Sequence, residues 1–587
     1  MVSRDLIRAA LGEEKAELVI KNGTLVNVLT DELYAADVAI YDSRVVGIGD
    51  VSGHIGAATK VVDAAGSYLV PGLIDGHIHI ECSKLSMSMF ADAVVPHGTT
   101  SVVSGLDQIY VVAGLNGVRE FLNESLRTPL KIFWAAPCKT PYTVPSSTVG
   151  HYFGPKDHAI SQRWPECVGV WELIKDLILE YDKNVFAAID IATKNHLSAF
   201  GGAAMTTGSQ FSATLCAGMR SDHECYSVEE TLEKLRSGVY VMIRESSVAH
   251  FLKENIRVVT EKKIDPRRIG FCTDDVTAQD LLTRGHLDNV VRLAIQEGVD
   301  PLETIKMATI NCAQIYRIDH LVGSISPGRV ADILLIDKPE SFKVQKVISK
   351  GKLVAINGSM ISPSKPPRRN SRTMHSLHVH KVTPAQLEFH TSLKSRKARI
   401  LSMKISEETA WVRKRFDADL EIENGVIGPD VEQDVLTVAV IERYGRAQKK
   451  VTGFVSGFKL KNGAMASSTA PDDNNIICVG TSADEMAYAV NHVLKKNGGQ
   501  VVVKDENILE FLPLPIGGIV ADLNIEQMAE KETALDQAAR TLGCELEWPF
   551  MTMIVLEAGG IPDYAITDRG LVDTVRHEVI NPVLGKA

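Results

Sequence analysis

The chain has 587 residues, 45% hydrophobic and 23% charged, and 63 basic against 73 acidic residues leave a net charge of −10 at neutral pH. That length exceeds the roughly 250 to 300 residues at which single cores stop growing, so two or three domains are expected. The acidic balance argues against general nucleic-acid binding, which needs clustered positive charge, and no apolar run approaches the roughly eighteen residues of a membrane-spanning helix.

The opening "MVSRDLIRAALGEEKAELVI" carries acids early and lacks the basic start and unbroken apolar segment of a signal peptide. Nine cysteines, none in a Cys-x-x-Cys pair, read as reduced thiols of a cytoplasmic protein, most of them small core residues. Residues 18 to 67 read as a small antiparallel sheet with turns at Asn22-Gly23 and Asp42-Ser43. From 71 to 321, apolar strand-like runs alternate with helical stretches, "TTSVVSG" before "GLNGVREFLNESL" and "RIGFCTDD" before "LLTRGHLDNVVRLAIQEG". Alternation over this length predicts a (β/α)8 barrel in an α/β protein.

Residues 322–361 return to short strands with glycine turns, Gly328 among them, so they are expected to join residues 1–70 in one composite, β-sandwich-like domain beside the barrel. The proline-rich, basic "SPSKPPRRNSRT" at 362–373 reads as a solvated linker. Residues 374–587 form a further α/β domain, with strands at "NNIICVG" and "GQVVVKD" around the helix "ADEMAYAVNHVLKKNGG".

The stretch "GLIDGHIHIECS" carries the first chemical signal. In a strand, positions two apart share a face, so His77 and His79 project together, roughly 6.6 Å apart along the chain, and one divalent ion can bridge them at about 2.1 Å from each nitrogen. A lone His-x-His is more often two partly exposed imidazoles. Here it has company at the ends of other candidate barrel strands: Glu172 in "GVWELI", His223 in "RSDHECYS", and Asp274 with Asp275 in "GFCTDDVT". Barrel active sites collect residues from such ends, although Asp275 also reads as a helix cap. Mixed nitrogen and oxygen donors suit zinc, manganese or iron better than calcium. A cation so held lowers the pKa of its water to about 7, and Asp274 is placed to move that proton to a leaving amine. Hydrolysis of a carbon–nitrogen bond is the chemistry this set suits.

These residues resemble those of the amidohydrolase superfamily, and within it the adenine deaminase family. The similarity rests on "PGLIDGHIHIE", "GTTSVV", "AGMRSDHE", "LEKLRSGVYVMIRE", "CTDD" and "SPGRVADILLID", and on the later "GFVSGF", "LPLPIGG" and "TDRGLVD", which make 374–587 an adenine-deaminase-type C-terminal domain. The resemblance implies that His77, His79, Glu172, His223 and Asp274 are metal ligands, with Glu172 bridging two ions and Asp274 the general base. It implies conversion of adenine and water to hypoxanthine and ammonia, with Mn2+ or Fe2+, or Zn2+, as the metal. A small-molecule purine is the expected partner, with neither nucleic acid nor membrane, in a cytoplasmic homo-oligomer.

The chain also departs from that family. Relatives read Gly-His-Ala-Pro-Gly where this chain has Gly201, Gly202, Ala203, Ala204 and Met205, so the strand-five histidine is a glycine. Gly105, Leu106, Asp107 and Gln108 replace Asp-Pro-His-Glu, and Pro471, Asp472, Asp473, Asn474 and Asn475 replace His-Asp-Ser-His-Asn. Either one ion remains, held by His77, His79, Asp274 and Glu172, or a second uses Asp107 or water. The losses leave open another aminopurine, an N6-substituted purine, a cyclic amide, or a binding protein without catalysis. His196 precedes its strand and would lie at the wrong end of the barrel.

Of the remaining candidates, Glu81 and Glu224 are each read as an acid that protonates a ring nitrogen or a partner that orients an imidazole, and Glu81 and Asp107 as substrate contacts. Arg244 is read as a substrate contact or a structural ion pair, and His286 as a residue that caps or packs on a helix.

Overall fold

The computed structural model describes residues 3–370, 374–406, 412–561 and 563–587. Eight parallel strands pair in chain order: β1 (Leu73–Asp75), β2 (Thr99–Ser104), β3 (Lys131–Pro137), β4 (Cys167–Ile174), β5 (Ser198–Gly202), β6 (Met219–Asp222), β7 (Tyr240–Arg244) and β8 (Ile269–Cys272). Every residue of β2 and of β8 is buried, as expected for a parallel sheet covered on both faces. Helices return the chain between strands, among them Asp107–Ser125, Lys183–Lys194 and Val228–Arg236, and Leu287–Gln296 follows the last strand. Val228–Arg236 begins where the Ser227 side chain accepts from the Glu230 N–H, with Glu229 and Glu230 in its first turn.

The two ends of the first 360 residues share a nine-stranded sheet. Tyr68–Pro71 runs antiparallel to Ile333–Ile336, and Val344–Ser349, Lys352–Ile356 and Ser359–Met360 follow outward on that side. On the other side Leu18–Asn27 pairs with Glu32–Tyr41, which turns at Asp42–Ser43 into Arg44–Gly49. Two expectations fail here. Leu18–Asn27 runs parallel to Lys60–Asp63 and Tyr68–Pro71, so the sheet is mixed and not wholly antiparallel. Asn22-Gly23 is a bulge inside one continuous strand instead of a turn. Asn22 takes the left-handed conformation at φ 60° while its N–H donates to Asp37 and its side chain to Asp63 on the flanking strands, which hold the strand together through the bulge.

Residues 362–370 lack helix and strand and none is buried, in keeping with a solvated linker, but the segment is tied down at two points. Ser364 donates to Asp92, and Arg369 pairs with Glu124 of the barrel and Asp522 of the C-terminal region, its side chain 8% exposed. The remainder of the expected linker, residues 371–373, lies outside the described residues.

The C-terminal region is built on an eleven-stranded sheet with Lys397–Ile405, Leu436–Ile441 and Ile476–Gly480 in its interior and helix Ala483–Lys495 against it. A second helix, Ile525–Thr541, packs against Ala278–Arg284 of the barrel. Lys84, just after β1, forms a buried 2.6 Å ion pair with Glu532 on that helix. The Ala521 N–H donates to the Lys84 carbonyl, Thr148 donates to Asp568, and Asn475 donates to the Thr148 carbonyl. One apolar cluster runs from the barrel into this sheet without a break, so the C-terminal region grips the loops that follow β1 and β3.

Candidate metal centre and active site

The barrel closes where the site forms. Ile78 and Asp274 pair in parallel across the seam between β1 and β8, with the Asp274 N–H 2.9 Å from the His77 carbonyl and the His79 N–H 3.1 Å from the Asp274 carbonyl. Backbone hydrogen bonds therefore place the His-x-His beside the strand-eight acid. Asp274 and Glu172 both hold left-handed backbone angles, φ 59° and 56°, a costly conformation for residues other than glycine and one that collects at functional sites.

Four donor atoms converge. His77 Nε2 lies 3.0 Å from Glu172 Oε1 and 3.4 Å from Asp274 Oδ1, and His79 Nε2 lies 3.5 Å and 3.6 Å from the same two oxygens. The two Nε2 atoms are 3.4 Å apart. Donors each about 2.1 Å from one ion stand roughly 3.0 Å apart in an octahedron and roughly 3.4 Å apart in a tetrahedron, so the spacing fits one divalent cation. His223 stacks on His77 with ring centroids 3.8 Å apart, and a donor atom from each of His77, His223 and Asp274 lies within 4.8 Å of the others.

The charges agree with a cation. Against burial, Glu172 and then Asp274 raise the His77 imidazole to about 9, and Asp107 and Glu172 raise His79 well above its usual value. Against burial, Arg244 and then His77 hold Asp274 well below the usual carboxylate range, and His77 does the same for Glu172. Two imidazoles drawn to protons by a buried and a partly buried carboxylate make a pocket whose donor set is completed by positive charge.

The readings of Asp107 and Asp275 change here, and the two alternatives for Arg244 narrow to one. Asp107 does not present itself to a substrate: its Oδ2 lies 3.4 Å from His79 Nδ1, while Oδ1 accepts from Trp171 Nε1 at 3.0 Å and from the Tyr142 hydroxyl at 3.2 Å. It stands behind His79 and orients that ring. Trp171 in turn packs on His77 at 4.3 Å, and Gly105 is required beside it because a Cβ there would fall on the indole. Arg244 is an ion-pair residue, its Nη1 2.7 Å from Asp274 Oδ2 and 3.1 Å from Glu224 Oε1. Asp275 is not the cap of Ala278–Arg284, a place taken by the Thr277 side chain. It accepts from Cys82 Sγ and groups with His79 and Asp274.

Gly202 does face the site. A Cβ on it would lie 3.0 Å from Glu224 Cγ, 3.6 Å from His223 Cε1 and 3.8 Å from Glu172 Oε2, so the Glu224 side chain fills the room that a larger residue would take. Both Glu224 oxygens are engaged, by Arg244 and by the Tyr226 hydroxyl at 3.1 Å. Glu81 differs: Oε1 accepts from the Ile109 N–H, Oε2 is buried without a partner, and burial followed by the Asp107 charge raises the carboxyl to about 7. His286 lies beneath the site, between Thr99 at 2.8 Å and Asp75 at 3.2 Å, and His196 sits before β5.

Sequence reasoning missed a second group of acids. Asp472 and Asp473 come from the C-terminal region, with Glu557 and Asp568 fully buried close by. Burial, followed by the charges of His79 and Glu172 acting in opposite directions, leaves Asp472 at about 7, and burial with Asp472 and Asp568 lifts Asp473 to about 8. Asp472 and Asp473 stand where the family reads His-Asp-Ser-His-Asn and Asp568 lies within "TDRGLVD", but nothing in the chain marked these acids and Glu557 as one buried group.

A closed eight-stranded barrel with imidazoles at the end of its first strand and an acid at the end of its last is the framework of a hydrolytic amidohydrolase, and residues 68–354 match the model of the Amidohydrolase family. Residues 410–578 match the Adenine deaminase C-terminal domain. Adenine deaminase 4 of Rhizobium meliloti (strain 1021) is 52% identical over 582 residues, 99% of this chain and 97% of that protein. Adenine deaminase 1 of Desulfotalea psychrophila is 51% identical over 99% of this chain and 98% of its own length, and adenine deaminase 1 of Latilactobacillus sakei is 45% identical over the same shares. The chain belongs to the adenine deaminase family.

Proposed function

We propose that the chain hydrolyses adenine to hypoxanthine and ammonia at the β1–β8 seam, with one divalent cation held by His77, His79, Glu172 and Asp274. The supporting observation is the convergence of those four donor atoms in a chain whose full-length relatives are adenine deaminases. Manganese or iron suits the mixed imidazole and carboxylate set. When bound, the cation supplies the Lewis acidity that brings a water's pKa to about 7.

The side chains then divide the work. Asp274 Oδ1 faces the donor cluster and takes the proton of the attacking water, while Arg244 on Oδ2 keeps the carboxylate ionised. Water oxygen bonds to C6 of the ring, the C6–N bond breaks, and the proton leaves with ammonia. Glu81, with a free Oε2, donates to a ring nitrogen, and Glu224 serves as the anchor of Arg244. Asp472 contacts the purine from the C-terminal side. The test is ammonia release from adenine by protein loaded with Mn2+ or Fe2+; absence of ammonia with both metals rejects the reading.

A further inference from the structure

A cavity of about 560 Å3 opens at the N-terminal ends of β5 to β8, the opposite end of the barrel from the metal centre. Arg220, Arg268 and Arg317 line it, and no aspartate or glutamate does. Among the described residues none of the three arginines is in an ion pair with a carboxylate. Their hydrogen bonds go instead to backbone carbonyls: Arg220 to Ile315 and Gln314, and Arg268 to Gly238. These bonds hold Arg220 and Arg268 in place at the cavity wall without neutralising their charge.

Two of the cations share one ring. The guanidinium carbons of Arg220 and Arg268 each lie 4.9 Å from the centroid of Tyr240, which puts them within about one Debye length of each other, roughly 10 Å at 0.1 M salt. Burial first, and then the neighbouring charges of Arg317 and Arg268, weaken the hold of Arg220 on its proton, while Tyr240 opposes them. Uncompensated like charges gathered in a concave, partly apolar setting raise the local concentration of counter-ions, and in a protein of net charge −10 the cavity stands out against its surroundings. Guanidinium forks match the oxygens of phosphate in pairs, and Leu197, Ala199 and Leu215 supply an apolar wall.

We propose that this cavity binds a phosphate-bearing small molecule at a site separate from the catalytic pocket. Cys216 provides the probe, being the exposed cysteine of the chain and part of the cavity wall. The experiment compares inorganic phosphate, pyrophosphate and AMP at matched ionic strength, reading heat of binding and the rate of Cys216 alkylation by mass spectrometry. At least one probe is expected to bind and to protect Cys216, and the exposed-site double variant Arg268→Glu/Arg317→Glu should weaken that binding by about tenfold or more, with metal content and deamination unchanged. AMP binding tighter than pyrophosphate identifies an organic phosphate as the ligand, and the reverse an inorganic one. The proposal is overturned if no probe binds or protects, or if the double variant binds as well as the parent. It is equally overturned if the double variant alters the oligomeric state in sedimentation while no probe binds, which would make the cavity an interface between copies.

Discussion

Arg244 Nη1 stands 2.7 Å from Asp274 Oδ2 and 3.1 Å from Glu224 Oε1, so one buried guanidinium fixes the strand-eight acid and the residue that fills the space above Gly202. Replacing Arg244 with Met removes the cation that Asp274 and Glu224 share and leaves Asp274 only the imidazoles of His77 and His79. Removal of one partner from a buried pair costs about 3–5 kcal/mol, which denaturant titration will read. Arg244 holds Asp274 below its usual range, so its loss raises that carboxyl, and the acid limb of kcat/KM against pH moves upward. Arg244→Lys should recover part of both effects.

Cation binding should expel protons. His77 is raised to about 9 and His79 well above its usual value by the neighbouring carboxylates, so the chelator-stripped protein holds protons on this pair more tightly than free imidazoles would. Ligating nitrogens must lose their protons. Titrating Mn2+ in two buffers of different ionisation enthalpy should therefore report proton release, and metal affinity should fall as pH is lowered. Metal analysis of the parent is expected to find one ion per chain, and His77→Ala none. Affinity independent of pH, or two ions per chain, contradicts the single four-donor site.

Glu81 and Glu224 separate by kinetics. Glu81→Gln removes the acid with an unpartnered oxygen, and kcat is expected to fall about 10²–10⁴-fold, the usual contribution of general acid catalysis, with KM little changed. Glu224→Gln acts through Arg244, so it should lower melting temperature as well as rate. Equal kinetic losses with no stability difference would reverse the assignment.

Asp473 makes stability depend on pH. Burial lifts its carboxyl to about 8 in the fold, against about 3.9 when unfolded. The folded chain thus binds a proton that the unfolded chain has released between those values, and stability contributed by the neutral acid is lost as pH rises through about 8. Asp473→Asn stays neutral throughout. Its melting temperature should exceed that of the parent by more at pH 9 than at pH 5, and a constant difference would refute the account.

The Lys84–Glu532 pair joins the loop after β1 to the C-terminal helix Ile525–Thr541. Glu532→Ala strands a buried ammonium, and a loss of about 3–5 kcal/mol is expected. Lys84→Met/Glu532→Leu, which removes both charges and keeps the volume, should regain most of it in the same denaturation assay.

Much of the site could be read in the chain because local geometry forces it. Residues two apart on a strand share a face, and parallel barrels gather side chains at strand ends, so His77, His79, Glu172, His223 and Asp274 were nameable from spacing and from likeness to a family. What escaped was long-range pairing between polar groups. Whether Arg244 meets a substrate or Asp274, and whether Asp107 faces inward or supports His79, depends on neighbouring strands whose register no local pattern encodes. Asn22-Gly23 misled for a related reason: the dipeptide favours a tight turn, but hydrogen bonds to Asp37 and Asp63 on adjacent strands carry the chain straight on. Composition made 362–370 legible as an irregular stretch but not its anchoring, since a basic, proline-rich segment says nothing of Glu124 waiting on the barrel for Arg369.

The shared sheet at the two ends of the barrel also sets a timetable. Tyr68–Pro71 gains one neighbour only when Ile333–Ile336 exists, and Arg44 donates to the Gly328 carbonyl across 284 residues of sequence. A ribosome adding about 5–20 residues per second leaves that strand edge bare for tens of seconds. During translation the nascent amino-terminal strands are consequently open to mispairing with other chains, and chaperones would shelter that edge.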